Sequence, residues 1–250
     1  MGESDMSNKI TIAMPYYEAP EMLRVHLDYW RRYPEWMAEF LSVVLVDDGS
    51  PNHPAEKVLK ESDLPLFPIQ LYRVQENIPW NHGGARNLTM HCVPKKGWVV
   101  TTDIDLVLDS ENIEKILGVD MHKENVYRPN RLDLISGKWV QWERHPESFV
   151  MTREMFWKIG GFDEDFTGYW NGTFVPFRKA VKRVSTLVDW QDIYLKNHCG
   201  LVEGAMVAEW GRRKSEYDIH TNKSMLTQRR RATNNYQPKN PLRFTWEQLI

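Results

Sequence analysis

The sequence has few cysteines, little net charge and no long apolar run. Only Cys92 and Cys199 are present among 250 residues, in no CxxC or CxxH pattern, which argues against a disulfide framework or a zinc site. The formal net charge of −2 gives no global field that favours nucleic acid or a membrane. No apolar run approaches the ~18 residues of a membrane span, and the first residues lack the apolar stretch of a secretory signal. We therefore expect a soluble, cytoplasmic protein without a transmembrane segment, which leaves peripheral contact with a membrane open.

The composition is that of an ordinary globular protein, with 42% apolar and 26% charged residues. Its eleven tryptophans are unusual. We expect most of them in the core, although an indole face is also suited to stacking on rings and sugars.

Short apolar runs alternate with amphipathic runs over the first ~110 residues, which is typical of a parallel sheet with helices on both faces. The predicted strands are KITIAM (9–14), FLSVVLV (40–46), IQLYRV (69–74) and GWVVTTD (97–103), and the predicted helices span 20–33 and 83–93. We predict a three-layer α/β/α sandwich with a mostly parallel central sheet.

The second half is less regular. We predict a hairpin of strands around Ser136-Gly137, a short helix over 153–162 and another helix over 190–200 that ends at Gly200. From Arg212 to Arg243 the chain carries nine Lys or Arg and only two acids.

Three polar clusters follow predicted strands: PYYE (15–18), DDGS (47–50) and DID (103–105). In open parallel sheets, ligands bind at the carboxyl ends of strands.

Asp103 and Asp105 point to the same side if the backbone between them is extended. Two adjacent carboxylates repel, so one tends to keep a proton unless a cation lies between them. Oxygen ligands suit Mn²⁺ or Mg²⁺, which also bind phosphates.

The chain resembles a known family. The segments ITIAMPYYEAPEMLRVHLDYW, VVLVDDGS, GGARNL, VVTTDID and IGGFDEDFTGYW occur in the order seen in GT-A fold glycosyltransferases, most like family 2, over residues 9 to 200. The resemblance implies the nucleotide-diphospho-sugar transferase fold. It also implies a metal-dependent enzyme that moves a sugar from a nucleotide-diphosphate donor, with a UDP-sugar favoured, to an acceptor hydroxyl with inversion.

The composition along the chain and the resemblance together suggest a division of the chain. Residues 1–8 would be a disordered or tag-like N-terminus and 212–250 a basic C-terminal lid or tail. The transferase domain would span 9–211, with a nucleotide-binding half (9–110) and an acceptor half (111–211).

Site residues follow from the same resemblance. The implied nucleotide and donor contacts are Pro15, Tyr17, Glu18, Asp48, Arg86 and Asp103. Tyr17 would stack on the base, and Asp48 would bond the base or ribose. Asp105 would hold Mn²⁺ or Mg²⁺ against the diphosphate, and Asp103 and a C-terminal His220 complete the implied metal set.

Inversion requires a general base for the acceptor hydroxyl. In the family this base is an Asp soon after GGFDE, but here the next acidic motif, DWQDIYL (189–195), comes about 20 residues later. We predict Asp192 as the base, near a helix start, with Asp189 as the alternative.

Two other functions remain open at this point. A sugar-nucleotide nucleotidyltransferase would carry a Gly-rich basic loop after the first strand, which PYYEAPE lacks. A non-catalytic module that binds glycans or nucleic acid would not need intact Asp103, Asp105 and Asp192. The expected partners are the sugar donor and a glycan, lipid-linked or other hydroxyl acceptor. Nucleic acid is not favoured.

Overall fold

The computed structural model describes residues 8–168, 174–199, 201–202 and 241–250. The strands are β1 (Ile10–Tyr16), β2 (Leu41–Asp47), β3 (Ile69–Val74), β4 (Trp98–Thr101), β5 (Leu106–Val107), β6 (Asn125–Ile135), β7 (Lys138–Trp142), β8 (Phe149–Met151), β9 (Thr186–Asn197) and β10 (Trp246–Gln248). The α-helices are α1 (Pro20–Arg31), α2 (Ala55–Lys60), α3 (His82–Cys92), α4 (Ser110–Gly118), α5 (Arg153–Ile159) and α6 (Phe174–Val184). Two 3₁₀ helices span Glu35–Glu39 and Glu164–Phe166.

The strands form one sheet in the order β10-β3-β2-β1-β4-β8-β6-β9-β5, and β7 extends from β6. Strands β3, β2, β1 and β4 are parallel neighbours, and β6 is parallel to β9. Since β8 is antiparallel to both β4 and β6, all six of these strands run in one direction. Their carboxyl ends lie along one side of the sheet, called here the carboxyl edge.

Both faces of the sheet are covered, which makes the fold three-layered. Side chains alternate between the two faces of a strand, and β2 shows the result. Val43 and Leu45 lie in one apolar cluster with side chains of α1, α2 and α4. Val44 and Val46 lie in the other cluster with side chains of α3, α5 and α6. The predicted α/β/α sandwich is confirmed, and the continuous apolar runs are explained by burial on both faces.

Strand β1 continues through Pro15, where the sequence pattern predicted its end. The pairing of β1 with β4 stops at Ala13, whereas the pairing with β2 continues to Tyr16. The missing N–H of Pro15 therefore falls beyond the last bond to β4 and leaves no ladder partner unpaired.

The short helix predicted over 153–162 is α5. The Thr152 side chain accepts a hydrogen bond from the Met155 N–H and begins the helix. Gly160, with a φ of 110°, ends it in the left-handed conformation that favours glycine.

The helix predicted over 190–200 is wrong, because this segment forms β9. A register shift in the pairing with β6, between Arg128 and Asn130, interrupts the alternation of side chains along β9. The buried residues Trp190 and Ile193 are consequently three positions apart, a spacing that imitates the face of a helix.

The chain's last described segment belongs to the sheet. Strand β10 pairs antiparallel with β3, with Trp246 opposite Val74, and no sequence pattern predicted it.

Residues 212–240 of the predicted lid or tail lie outside the described residues, as do 1–7 of the N-terminus. Across the described ranges, no helix is both long and apolar enough to cross a bilayer.

Candidate functional site

Asp103 and Asp105 lie just beyond β4 on the carboxyl edge. The backbone there is a turn and not the extended segment that the sequence suggested, because the Leu106 N–H bonds the Asp103 carbonyl at 3.1 Å. The two carboxyls nevertheless interact. Burial and the neighbouring Asp103 charge raise the pKa of Asp105 to about 6.

Three basic side chains surround the Asp103 carboxylate. Arg86 donates to its Oδ1, His82 Nε2 lies 3.3 Å from the same oxygen, and His145 Nε2 lies 3.2 Å from Oδ2. Burial alone would favour the protonated acid, but the Arg86 and His145 charges outweigh it and hold the pKa of Asp103 well below its usual value. Asp103 is therefore a carboxylate with both oxygens engaged.

Arg86 is fully buried and joins three parts of the chain. Besides Asp103, its guanidinium donates to Thr101 Oγ1 at 3.1 Å and to the Glu147 carbonyl at 3.0 Å. It links α3 to the end of β4 and to the segment before β8. The structure thus places Arg86 behind Asp103, and its implied contact with a donor stays a prediction.

His82, Asp103 and Glu147 form a group that could hold a metal ion, since their ligand atoms lie within 4.8 Å of one another. An imidazole and two carboxylates suit Mn²⁺. The Arg86 guanidinium already lies against this group, at 4.0 Å from Glu147 Oε2. Although burial alone would lower it, the Glu147 and Asp103 carboxylates raise the pKa of His82.

Sequence reasoning missed His82, His145 and Glu147. His82 and Arg86 are four residues apart on α3, a spacing that places them on one helical face, so this pair could have been found. His145 and Glu147 lie in an irregular segment with no pattern that predicts their position.

The residues expected at the nucleoside lie at the ends of β1 and β2. The Tyr17 hydroxyl donates to Asn77 Oδ1 at 3.1 Å. The buried Asp48 accepts from Asn81 Nδ2 at 2.8 Å, and Asn81 immediately precedes α3. Pro15 lies within β1 beside them. Tyr17, Asp48 and Pro15 thus share the carboxyl edge, while their contacts with a nucleotide stay predictions.

Glu18 orders the loop that follows β2. Its buried carboxylate accepts from the backbone N–H groups of Asn52 and His53 at 2.9 and 3.1 Å. Gly49, with a φ of 75°, lets this loop approach the segment after β3, because an added Cβ would lie 2.4 Å from the Glu76 carbonyl oxygen. Glu18 therefore supports the position of Asp48, and its own donor contact stays a prediction.

The two candidate bases lie on β9, so the predicted location of Asp192 near a helix start is wrong. Asp192 is exposed, and its carbonyl accepts from Lys115 Nζ at 3.2 Å. The Asp189 carboxylate bonds the Arg128 guanidinium at 2.8 and 2.9 Å, and these bonds lower the pKa of Asp189. The role of Asp192 or Asp189 as the general base stays a prediction. His220, an implied metal ligand, lies outside the described residues.

Comparisons with solved structures agree with the fold. The chain is 12% identical to TarS from S. aureus, solved in complex with UDP-GlcNAc, with a TM-score of 0.63 over 92% of this chain and 68% of that one. GalNAc-T7 with UDP, GalNAc and Mn²⁺ is 14% identical, with a TM-score of 0.57 over 78% of this chain and 44% of that one. The mannosyltransferase PcManGT from Pyrobaculum calidifontis, with GDP-Man and Mn²⁺, is 15% identical, with a TM-score of 0.54 over 89% of this chain and 68% of that one. No curated protein matches.

The sequence also matches the model of one protein family. The match to "Glycosyl transferase family 2" covers residues 11–187. These bounds include all three polar clusters of the carboxyl edge and most of the central sheet. The chain therefore belongs to glycosyl transferase family 2 and is a glycosyltransferase.

Proposed function

We propose that this enzyme transfers a sugar from a nucleotide-diphosphate donor, preferably a UDP-sugar, to an acceptor hydroxyl with inversion and with the help of a divalent cation. The observation that carries the proposal is the pair Asp103 and Asp105 on the same edge as Asp48 and Tyr17. A half-buried, acidic edge beside an aromatic ring suits a ligand that has a base, a ribose and a metal-bound diphosphate.

The nucleoside would bind across the ends of β1 and β2. There the Tyr17 ring offers a face for the base, and the Asp48 carboxylate, fixed by Asn81, offers an acceptor for base or ribose donors. The solved relatives named above carry UDP-GlcNAc, UDP or GDP-Man, which supports a nucleotide-sugar donor. UDP is our first choice of nucleotide.

Asp105 is the residue that we expect to hold Mn²⁺ or Mg²⁺. Asp103 already has basic partners on both oxygens. Burial and the Asp103 charge raise the pKa of Asp105 more than the His145 and Arg86 charges lower it, so the charge of this carboxyl is only partly compensated. The bound ion would compensate the charge of the departing nucleoside diphosphate. The group of His82, Asp103 and Glu147 is the second arrangement that the structure supports.

The chain's own residues would then orient the donor and remove one proton. Arg86, His82 and His145 fix Asp103 for a bond to the ribose or the sugar. The acceptor oxygen forms a bond to the anomeric carbon as the bond from that carbon to the diphosphate oxygen breaks. The acceptor proton passes to the base, for which Asp192 is our first candidate and Asp189 our second.

Two measurements test the proposal. UDP should raise the melting temperature in the presence of Mn²⁺ and not in the presence of a chelator, since a ligand that binds only the folded state stabilises it. A panel of nucleotide sugars with Mn²⁺, assayed for release of nucleoside diphosphate, should then identify the donor. No stabilisation by any nucleotide and no release from any donor would contradict the proposal.

A further inference from the structure

The β6–β7 hairpin exposes apolar side chains that a strand would normally bury. Within the described residues, β7 pairs with β6 alone, at the side of the main sheet order. Trp142 is 51% exposed, and Ile135 and Val140 are 43% and 42% exposed. Large apolar side chains gathered on one projecting element mark a binding surface more often than isolated ones do.

These side chains share one face of the hairpin. The pairing places Trp142 opposite Arg131 and Val140 opposite Asp133. Residues that lie opposite in an antiparallel pair, and residues two apart along a strand, point to the same side. Trp142, Val140, Arg131 and Asp133 therefore form one surface with the next pair along the hairpin, Ile135 and Lys138. This surface is called here the hairpin face.

The polar side chains on the hairpin face hold one another in place through an ion pair and a hydrogen bond. Arg131 Nε lies 3.0 Å from Asp133 Oδ1, and the same oxygen accepts from Asn197 Nδ2 at 3.0 Å. The Arg131 and Asp133 charges compensate each other, and Lys138, opposite Ile135, adds one positive charge at the end of the same face. An indole face beside fixed carboxylate, guanidinium and amide groups suits a sugar ring, whose C–H face stacks on the indole while its hydroxyls bond the polar groups.

The hairpin face is continuous with the proposed active site. Strand β6 ends at the carboxyl edge, because it runs in the same direction as β1 and β4. Asn197, which bonds Asp133, is followed by His198, whose N–H donates to the Asp105 carbonyl at 2.8 Å. On the other side of the hairpin, the Trp139 ring lies 5.5 Å from the His198 ring. The hairpin is thus fixed to the segment that contacts Asp105.

We propose that the hairpin face binds a saccharide ring of the acceptor, with Trp142 as the stacking platform and Asp133 as a hydroxyl partner. This inference rests on the proposed function, because it assigns the second substrate of the same reaction. It identifies the acceptor as a glycan, or a molecule that carries one, and places it between β7 and Asp105.

Trp142→Ala tests the proposal, and Trp36→Ala is the matched control. Trp36 is 47% exposed, close to the 51% of Trp142, but it lies in the 3₁₀ helix before β2, at the opposite edge of the sheet. Wild type and both variants, labelled with a fluorophore, are applied to an array of defined oligosaccharides in the presence of UDP and Mn²⁺. We expect wild type and Trp36→Ala to retain the same glycans, and Trp142→Ala to lose about tenfold in affinity.

Two further variants separate recognition from folding. Trp142→Phe keeps an aromatic face and should recover part of the glycan affinity, whereas Asp133→Asn should change which glycans are retained. The melting temperature of each variant checks that the domain is folded.

Several results would overturn the proposal. These are no glycan retained by wild type, equal retention by Trp142→Ala, self-association in light scattering that Trp142→Ala abolishes, or Trp142-dependent sedimentation with vesicles of anionic phospholipid. The response of the melting temperature to UDP and Mn²⁺ is measured on the same samples. If UDP stabilises the protein but Trp142 does not affect glycan retention, the acceptor assignment fails while the donor site stands.

Discussion

Asn87 and Glu164 are 77 residues apart in the chain, and the Asn87 amide donates to the Glu164 carboxylate at 2.7 Å. Both are buried. Asn87 also accepts a hydrogen bond from the Phe162 N–H and donates one to the Phe162 carbonyl. These bonds join α3 to the GGFDE segment. Glu164 additionally accepts from the N–H groups of Leu242 and Arg243, at 2.8 and 3.2 Å. One carboxylate therefore links α3, which carries Arg86, to the C-terminal segment.

Glu164→Ala should destabilise the protein strongly. The substitution removes the acceptor of the buried Asn87 amide and of the Leu242 and Arg243 N–H groups, and the expected loss in free energy of unfolding is roughly 3 kcal/mol. Urea denaturation measures this loss. We also expect weaker binding of UDP, because α3 and β10 lose their connection.

Glu124→Ala provides the control for this variant. Glu124 is an exposed carboxylate bonded to Lys158, and exposed ion pairs contribute little to stability. A loss of stability in Glu124→Ala as large as that in Glu164→Ala would contradict the role given to Glu164.

The sheet could be predicted from the sequence because its central strands are buried on both faces. The run at 40–46 is apolar except for Ser42, and β2 forms there. The run at 69–74 is interrupted by Gln70 and Arg73 but is otherwise apolar or aromatic, and β3 forms there. The same reasoning failed at β9, where the register shift beside Arg128 gives the buried residues a helical spacing. It also missed β10, three residues whose place in the sheet depends on a distant pairing with β3.

The site could be predicted only in part. Asp48, Asp103 and Asp105 could be predicted because each comes soon after a predicted strand in the sequence. The contacts of Asp103 with His145, and of Arg86 with the Glu147 carbonyl, join segments that are about 40 and 61 residues apart. No periodicity describes such pairs, because they arise when the irregular segment before β8 packs against α3.

Arg86→Lys should lower stability although it keeps the positive charge. A planar guanidinium reaches Asp103, Thr101 and the Glu147 carbonyl at once, and an ammonium group does not reproduce this geometry. We expect a loss of roughly 3 kcal/mol in free energy of unfolding, with weaker UDP binding. The exposed Arg24 offers the matched control, since Arg24→Lys should leave both quantities unchanged.

Asp105→Asn should stabilise the metal-free protein at high pH. Burial and the Asp103 charge raise the pKa of Asp105 to about 6, so the folded state binds this proton more tightly than the unfolded state. The resulting stability is present below pH ~4 and is lost as the pH rises through about 6. Without metal, the variant should therefore exceed wild type by roughly 2–3 kcal/mol at pH 8 and match it at pH 4.

The same variant tests the metal site. Asp105→Asn should abolish the Mn²⁺-dependent rise in melting temperature with UDP, while Asp63→Asn, which is almost fully exposed, should retain it. If Glu147→Gln abolishes the rise and Asp105→Asn does not, the metal belongs to the group of His82, Asp103 and Glu147.

Gly49→Ala should be far more damaging than Gly137→Ala, although both glycines have a positive φ, 75° and 77°. An added Cβ at Gly49 meets the Glu76 carbonyl oxygen at 2.4 Å, whereas the space at Gly137 is open. We expect Gly137→Ala to cost about 1 kcal/mol from backbone strain alone and Gly49→Ala several times more. Equal losses in urea denaturation would show that the close approach at Gly49 is unimportant.

Asp192→Asn should retain the Mn²⁺-dependent binding of UDP and lose sugar transfer. An amide of the same shape cannot accept the acceptor proton, so we expect turnover to fall by about 10²-fold or more. The measurement is the release of nucleoside diphosphate from the active donor in the presence of acceptor. Asp189 differs from Asp192 because its carboxylate is engaged by Arg128, so as a base it would first have to leave this ion pair. Retained turnover in Asp192→Asn together with a loss in Asp189→Asn would move the base to Asp189, and retained turnover in both would exclude β9 as its source.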